Sequence, residues 1–164
     1  MKTTVHSSLH SISPDAWNCL STDNNPFLKH AFLIALENNQ CLQPFGWQPH
    51  YLAAYDDNKE LLGAAPMYMK DNSYGELVFD WAWAEAYQRA DMPYYPKLVV
   101  AIPYTPATSQ RILMRDDCNQ TAVSELLICD AIEYAKKLNV SSLHWLFPPK
   151  SETEKLEPYG HMRR

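Results

Sequence analysis

Two short apolar segments within residues 50–70, HYLAAYDDNKELLGAAPMYMK, flank the turn-forming residues Asp56, Asp57 and Asn58. Apolar runs of this length on both sides of such a turn predict a β-hairpin. Pro66 has no N–H to donate to a ladder, so we expect it at an edge, a bulge or a strand end. The chain therefore contains a β-sheet, and the elements around the hairpin decide its fold class.

Two segments have the periodicity of helices. Asn25 followed by Pro26 is typical of a helix start, and the apolar residues after it share one face: Leu28, Ala31, Phe32, Ala35 and Leu36. In the second helix, Asp117 and Gln120 have the spacing of a capping box, and Asn139 suits the C-terminal end. Its predicted buried stripe consists of Val123, Leu127, Ala131, Tyr134 and Leu138.

The remaining segments mix strand and helix patterns. We expect a strand near Glu76–Phe79, one or two helical turns over Trp83–Arg89 and a buried strand over Lys97–Ile102. The segment SSLHWLFPP predicts another buried strand, and a short polar helix is expected to begin at Ser151. This order predicts an α/β (α+β) layered fold.

Composition places the chain among globular proteins that fold in water. Of its 164 residues, 46% are hydrophobic and 20% are charged, which fits one domain over residues 1–164. No apolar run approaches the roughly 18 residues of a membrane-spanning helix, and the first residues lack the apolar core of a signal peptide. We therefore expect a cytoplasmic protein whose four scattered cysteines are reduced.

The charge balance bears on possible partners. The formal net charge is −5, and the 14 basic residues are dispersed among 19 acidic ones. Broad binding to nucleic acid is disfavoured because no basic footprint is available for a phosphate backbone. A local site for the acceptor end of a transfer RNA needs only a few basic residues, so that narrower possibility stays open.

Three stretches together resemble one known family. They are NPFLKHAFLIALE, LLGAAPMYMK and the long run SYGELVFDWAWAEAYQRADMPYYPKLVVAIPYTPATSQRIL. They are similar to the Fem-like (FemAB-like) family of peptidoglycan-biosynthesis proteins and N-acyltransferases, and the resemblance extends from about Asn25 to the C-terminus. It implies the acyl-CoA N-acyltransferase (GNAT-like) fold, a twisted mixed sheet with helices on both faces.

The resemblance also sets expectations about completeness and assembly. Family members have two such folds in tandem, whereas this chain has room for one and ends at Arg164. A sheet without its last strands exposes unpaired backbone groups and apolar surface. We therefore expect a domain incomplete at its C-terminus that associates as a homodimer or with a second-half partner chain.

The cofactor expectation is mostly negative. Acetyltransferases hold the pyrophosphate of coenzyme A with a glycine-rich loop that opens a helix. This chain has four glycines, and the segment PYTPATSQRI after the strand Lys97–Ile102 has none. The residues do not support acyl-CoA, and an aminoacyl-tRNA donor follows from the family analogy alone. We expect no metal, because His6 and His10 have helical i, i+4 spacing but no third ligand.

Acids and aromatic rings alternate at Asp80, Trp81, Trp83 and Glu85, which predicts binding of a sugar or peptide acceptor by stacking and hydrogen bonding. The alternative is that the tryptophans belong to the core and the acids are solvated. Further candidate site residues stand at the two ends of the strand Lys97–Ile102: Tyr94, Tyr95 and Lys97 before it, Tyr104 and Thr105 after it.

The resemblance implies transfer of an acyl or aminoacyl group to an amine, with a small-molecule or cell-wall precursor as the acceptor. Such a transfer requires an amine to be deprotonated and an oxyanion to be stabilised. Asp80 or Glu85 suits the first role, and Tyr104 or Lys97 the second. The alternative function is a non-catalytic binding or assembly module.

Overall fold

The computed structural model of the chain describes residues 1–20, 25–78 and 80–163. Within them lie eight β-strands: β1 (Lys2–His6), β2 (Trp47–Pro49), β3 (Tyr51–Tyr55), β4 (Leu61–Ala65), β5 (Met67–Lys70), β6 (Lys97–Val100), β7 (Leu113–Met114) and β8 (Leu143–Trp145). The α-helices are α1 (Pro14–Asn18), α2 (His30–Asn38), α3 (Trp81–Arg89), α4 (Gln120–Lys137) and α5 (Lys150–Leu156).

The strands form two four-stranded sheets. The chain passes from one sheet to the other where β2 continues into β3 and where β4 continues into β5. The strand orders of the sheets are β1-β3-β4-β7 and β2-β5-β6-β8, and the pairing is antiparallel except between β6 and β8, which are parallel. Only His50 separates β2 from β3 and only Pro66 separates β4 from β5, and the His50 N–H donates to the Met67 carbonyl at 2.8 Å. The result is a mixed α+β architecture of the GNAT-like type.

The predicted hairpin is confirmed as β3 and β4. Asp56 builds its turn, since one carboxylate oxygen accepts from the N–H groups of Asn58 at 2.9 Å and Glu60 at 2.8 Å. Such local acceptance is why Asp favours turns. Pro66 lies between two strands, as predicted, and its carbonyl accepts from the Ala101 N–H at 3.1 Å.

Helices cover both faces of the sheet because side chains alternate along each strand. Ala53 and Ala64 belong to a core beneath α1 and α2 that also contains Trp17 and Trp47. Their neighbours along the strands point the other way, into a core beneath α4: Leu52, Ala54 and Ala65. The predicted stripe of α4 supplies Val123, Leu127 and Ala131 to that second core.

The ends of the helices correct two predictions. The capping box at Asp117 and Gln120 is wrong: Asn119 caps α4 by accepting from the Ala122 N–H at 3.2 Å, and Asp117 pairs with Arg115. Asn25 caps only a short 3₁₀ turn, Pro26–Leu28, and α2 begins later, at His30. Asn139, with a φ of 51°, ends α4 as predicted.

Two strand predictions also need correction. No strand forms over 76–78, because Leu77 has a left-handed φ of 59° and the carboxylate of Glu76 is buried against Lys97; Phe79 lies outside the described residues. Strand β8 is half-buried rather than buried, since it pairs with β6 on one side and no described strand lies on the other. The strand predicted over Lys97–Ile102 ends at Val100.

Residues 71–96 form the long connection of an otherwise ordinary hairpin. Lys70 ends β5, Lys97 begins β6, and these two lysines are direct partners in the antiparallel ladder. Helix α3 lies in this connection, extends further than the predicted turns and has no buried residue. We call residues 71–96 the excursion. Within the described chain, no helix has the length and apolar character needed to cross a membrane.

The contact between β4 and α4 supplies a first test. A Cβ added at Gly63 would lie 2.6 Å from Val123 Cγ1 and 2.9 Å from the carbonyl oxygen of Leu113. We expect Gly63→Ala to lower the free energy of unfolding by about 1–3 kcal/mol in urea titration, the usual cost of overpacking. A loss below about 0.5 kcal/mol would show that α4 moves aside at little cost.

Candidate functional site

The excursion supplies all of the described lining of an open groove of about 820 Å³. Helix α3 supplies Trp81, Ala84, Glu85 and Gln88, and the flanking loops supply the remaining lining residues: Asn72, Ser73, Tyr74, Asp91, Met92, Pro93, Tyr94 and Tyr95. Trp81 keeps 64% of its surface exposed although it is the largest side chain of the lining. A volume and lining of this kind suit a small polar ligand with an aromatic-stacking face.

An ion cluster lies beneath the groove, centred on the buried ammonium of Lys97. Its Nζ donates to Asp80 Oδ2 at 2.6 Å, to Glu76 Oε2 at 2.9 Å and to Ser73 Oγ at 3.0 Å. A lysine has three N–H donors, and all three are used here. We call Lys97, Glu76 and Asp80 the Lys97 cluster.

Groove residues contact the Lys97 cluster directly. The Tyr94 hydroxyl donates to Asp80 Oδ2 at 2.6 Å, and the hydroxyls of Ser73 and Tyr95 lie 2.7 Å apart. Ser73 also accepts from Lys97. A change in the groove at Ser73 or Tyr94 therefore reaches the buried charges through one hydrogen bond, and a change at Tyr95 reaches them through two, by way of Ser73.

The pKa values of the two acids in the Lys97 cluster are shifted in opposite directions. Burial raises the pKa of the Glu76 carboxyl, and the hydrogen bond and charge of Lys97 only partly offset it. Burial also acts to raise the pKa of Asp80, but hydrogen bonds from Lys97 and Tyr94 outweigh it and leave the pKa below its usual value. Of the two acids, Asp80 therefore holds its charge more readily beside Lys97, and Glu76 is the one that accepts a proton more readily.

The cluster also has spare hydrogen-bonding capacity. Glu76 Oε1 and Asp80 Oδ1 are buried, and neither has a hydrogen-bond partner among the described residues. Two carboxylates thus share one ammonium in a region shielded from water, and buried charges of this kind are costly unless they are paired.

Charge in the groove itself is acidic. Glu85 and Asp91 are the charged residues of the lining, and none of its described residues is a lysine or an arginine. Glu85 Oε2 forms an ion pair with Nη2 of the exposed Arg89, one helical turn away, at 2.9 Å. A groove with this lining attracts an ammonium group and offers no cation to a phosphate.

The residues predicted from the sequence fall into three groups. Trp81, Glu85 and Tyr95 line the groove, whereas Asp80 and Lys97 lie beneath it. Trp83 is on α3 with 49% of its surface exposed but is not part of the lining. The alternative of core tryptophans and solvated acids is therefore wrong for both tryptophans and for Asp80, and it holds only for the exposed Glu85.

Tyr104 and Thr105 lie apart from the groove lining. The Tyr104 hydroxyl donates to the Cys41 carbonyl, and its ring packs on Trp47 with centroids 5.7 Å apart. Thr105 Oγ1 donates to the Pro103 carbonyl at 3.1 Å.

Sequence reasoning missed Ser73, Glu76 and Asp91, and it missed the buried Lys70. Lys70 Nζ lies 4.0 Å from the centre of the Trp47 ring and donates to the Tyr74 carbonyl at 3.0 Å. Burial lowers the pKa of Lys70 to about 8, although the charge of Glu76 acts to raise it. A lysine inside an apolar strand pattern, as in MYMK, was the available signal.

A loop that binds the pyrophosphate of coenzyme A would lie in the segment after β6. Arg111 fills it: the buried guanidinium donates to the carbonyls of Ala107 and Ser109 at 2.9 Å and of Leu146 at 2.7 Å. The amide N–H groups of Arg111 and Ile112 are already used, because they donate to the buried carboxylate of Glu152 at 2.8–3.2 Å. The next helix begins only at Gln120. These residues do not fit the pyrophosphate of coenzyme A.

The histidines named above have other partners. His6 contacts the hydroxyls of Ser11 at 2.8 Å and Tyr55 at 2.9 Å, and His10 contacts Asn38 at 2.9 Å. The described residues contain no group of three His, Cys, Asp or Glu side chains placed to hold a metal ion.

Comparison with known proteins identifies the family. Residues 8–164 match the FemAB-like family, which is described as acting in peptidoglycan biosynthesis and recognition. No curated protein and no solved structure matches the chain. Because the match covers nearly all of the sequence and agrees with the mixed α+β fold, the chain belongs to the FemAB-like family, whose role is in peptidoglycan biosynthesis.

Proposed function

We propose that the groove binds the amine-bearing acceptor of an acyl or aminoacyl transfer to a peptidoglycan precursor. The observation that carries this proposal is the charge of the described groove lining, where Glu85 and Asp91 are the charged residues and both are acidic. Arg89 pairs with Glu85 at 2.9 Å but is not itself a lining residue. A primary ammonium is the group that such a lining attracts, and Trp81 adds a face on which a sugar ring or peptide plane can stack. We further propose that the protein acts in the cytoplasm, as the sequence led us to expect.

The chemistry of the step sets what the groove must do. The bound ammonium first loses one proton to solvent, which gives the neutral amine. The amine then gives up a second proton as its nitrogen forms a bond to the acyl carbon, and the bond from that carbon to the donor's leaving atom breaks. The proton passes from the nitrogen to a carboxylate and then to the leaving group. Glu85 lines the groove and is exposed on its side-chain surface, so it suits the role of proton acceptor.

Asp80 and Lys97 suit a supporting role better than a reacting one. Lys97 has committed its three N–H donors to Ser73, Glu76 and Asp80, which leaves none for an oxyanion. Asp80 has a lowered pKa and accepts from Lys97 and Tyr94, so it is a weak base. The Tyr95 hydroxyl lines the groove, and we assign it the role of hydrogen-bond donor to the oxyanion, in place of Lys97.

The donor side rests on family resemblance. The segment around Arg111 does not fit coenzyme A, so an aminoacyl-tRNA remains the donor class that this proposal favours. The described lining of the groove has no basic residue to contact RNA phosphates, so this proposal places such contacts elsewhere on the surface.

A recognition module without transfer activity is the second candidate. The buried ion pair of Lys97 with Asp80 favours this candidate, because neither of these two charges is available to a reacting group in the groove. The two functions differ in turnover and not in the ligand that binds.

Calorimetric titration tests the proposed ligand. A muramyl peptide with a free primary amine is expected to bind, and the same peptide with its amine acetylated is expected to bind at least about tenfold more weakly. The double variant Glu85→Gln with Asp91→Asn should weaken binding of the free-amine peptide by about tenfold, since each partly exposed charge contributes about 0.2–1 kcal/mol.

The matched control removes two acids outside the groove. Asp116→Asn with Glu125→Gln makes the same change in net charge at exposed positions and should leave binding unchanged. Equal affinity for the free and acetylated peptides would refute the amine assignment. Binding without product in an assay supplied with aminoacyl-tRNA would select the recognition module.

A further inference from the structure

We infer that Lys97 is the positioning residue of the groove: it fastens the excursion, residues 71–96, to the sheet, and the excursion opens as a unit while the sheet stays folded. This inference deepens the proposed function, because the excursion builds the groove in which the acceptor is proposed to bind. It concerns the folded chain itself, so it can be tested with no ligand present.

Burial within the excursion carries the inference. Among its described residues, 71–78 and 80–96, the buried side chains are Glu76, Asp80 and Tyr94. All three are polar, and all three meet at the Lys97 cluster, since Tyr94 donates to Asp80 and both acids accept from Lys97. The described part of the excursion therefore adds no buried apolar side chain except the ring of Tyr94.

Segments with few buried apolar contacts open at lower free energy than the core around them. Helix α3 illustrates this, because none of its residues is buried and its two tryptophans lie at the surface. The neighbouring strands differ sharply: β5 and β6 supply Tyr68, Leu98, Val99 and Val100, each fully buried. The boundary between the two kinds of packing falls at Lys70 and Lys97.

The excursion has other described ties to the rest of the chain, among them a ring contact between Tyr94 and His144 with centroids 6.5 Å apart. The hydrogen bonds run from Lys70 to the Tyr74 carbonyl at 3.0 Å, from the Tyr104 N–H to the Gly75 carbonyl at 3.2 Å, and from Ser141 to the carbonyls of Tyr94 and Pro96. Each of them holds one point of the backbone near an end of the excursion. Lys97 differs because it joins three points of the excursion, at Ser73, Glu76 and Asp80, through charge-assisted bonds.

The loss of Lys97 has two effects that act together. It removes the donors at all three points, and it leaves two buried carboxylates without a cation. An unpaired buried charge moves toward water, which here means that Glu76 and Asp80 leave the sheet and take α3 with them. The groove lining from Asn72 to Tyr95 then no longer has a fixed shape.

Hydrogen exchange followed by mass spectrometry measures this opening segment by segment. In Lys97→Met, amides of residues 74–95 are expected to exchange at least about tenfold faster than in the wild type, while amides of β3, β4 and α4 keep their protection. Lys97→Arg retains a cation and should restore part of the protection. Muramyl-peptide binding should fall with the protection.

Gly63→Ala provides the matched control, because it weakens the packing of α4 on β4 and leaves the Lys97 cluster intact. If the excursion opens by itself, this variant leaves exchange of residues 74–95 at the wild-type rate and accelerates only the core amides. Acceleration of both sets together would show that the excursion opens only with the whole fold and would overturn the inference. So would wild-type protection of residues 74–95 in Lys97→Met.

The comparison of wild type with Gly63→Ala decides whether the excursion opens by itself, even if Lys97→Met does not fold. Faster exchange of residues 74–95 in Lys97→Arg than in the wild type then tests the part played by Lys97. If the muramyl peptide does not bind the wild type, the proposed ligand is wrong, whereas the exchange data still decide whether Lys97 fastens the excursion.

Discussion

Replacing Arg111 with methionine is expected to lower the free energy of unfolding by about 3–5 kcal/mol, the range seen when one partner of a buried charged network is removed. The guanidinium is fully buried and donates to the carbonyls of Ala107, Ser109, Gln110 and Leu146. Methionine fills a similar volume but leaves these oxygens without donors, and each unsatisfied buried acceptor is costly.

Urea unfolding measures this loss as a lower midpoint at an unchanged slope. Arg115→Met is the matched control, because the Arg115 side chain is partly exposed and pairs with the exposed Asp117 and Glu60. Its effect should be far smaller than that of Arg111→Met. Equal losses in the two variants would mean that the carbonyls around Arg111 find water or other donors when the guanidinium is removed.

Stability is expected to rise by about 1–2 kcal/mol between pH 8 and pH 9.5 through Lys70. Burial lowers the pKa of Lys70 from 10.5 to about 8 in the folded chain. Between these two values the unfolded chain binds more protons at this lysine than the folded chain does, so raising the pH favours folding. The gain is lost again as the pH falls through 8.

The difference between wild type and Lys70→Met isolates this contribution. Other groups that titrate in the window act equally on both proteins, and methionine keeps the contact with the Trp47 ring without an ionisable group. Free energies from urea titration at several pH values should therefore diverge, with the wild type gaining on the variant as the pH rises. Parallel curves would show that Lys70 titrates normally and is reached by water.

The framework of the fold was open to prediction because local rules decide it. The turn at Asp56, the break at Pro66, the stripe of α4 and its end at Asn139 each depend on neighbours within a few residues. The family resemblance then supplied the arrangement of these elements, and the match over residues 8–164 confirms the family.

The excursion resisted prediction because its anchors are distant in sequence and polar. Glu76 and Lys97 are separated by most of the excursion, yet they meet at 2.9 Å. Helix α3 has no buried face, so the period of its apolar residues carries no information about packing. A strand over 76–79 was expected from composition, and the buried charge at Glu76 is what composition could not indicate.

The candidate site was predictable by residue type and not by position. Trp81, Glu85 and Tyr95 were predicted to bind substrate; the structure brings them to one groove, and their role in binding stays a prediction. Tyr104 was grouped with them because it follows β6, the strand that Tyr95 precedes. Its ring packs on Trp47, however, and its hydroxyl donates to the backbone carbonyl of Cys41. Proximity to a strand end does not by itself bring two side chains together.

The direct pairing of Lys70 with Lys97 makes the excursion an exchangeable insert. Paired residues of an antiparallel ladder have Cα atoms about 4.5–5.5 Å apart, so a two-residue turn such as Asn-Gly spans the same gap. A graft of that kind would also need uncharged residues in place of both lysines, whose buried ammonium groups would otherwise lose their partners at Tyr74, Glu76 and Asp80. The groove and the sheet are thus separable, because both ends of the excursion meet at one pair of the ladder.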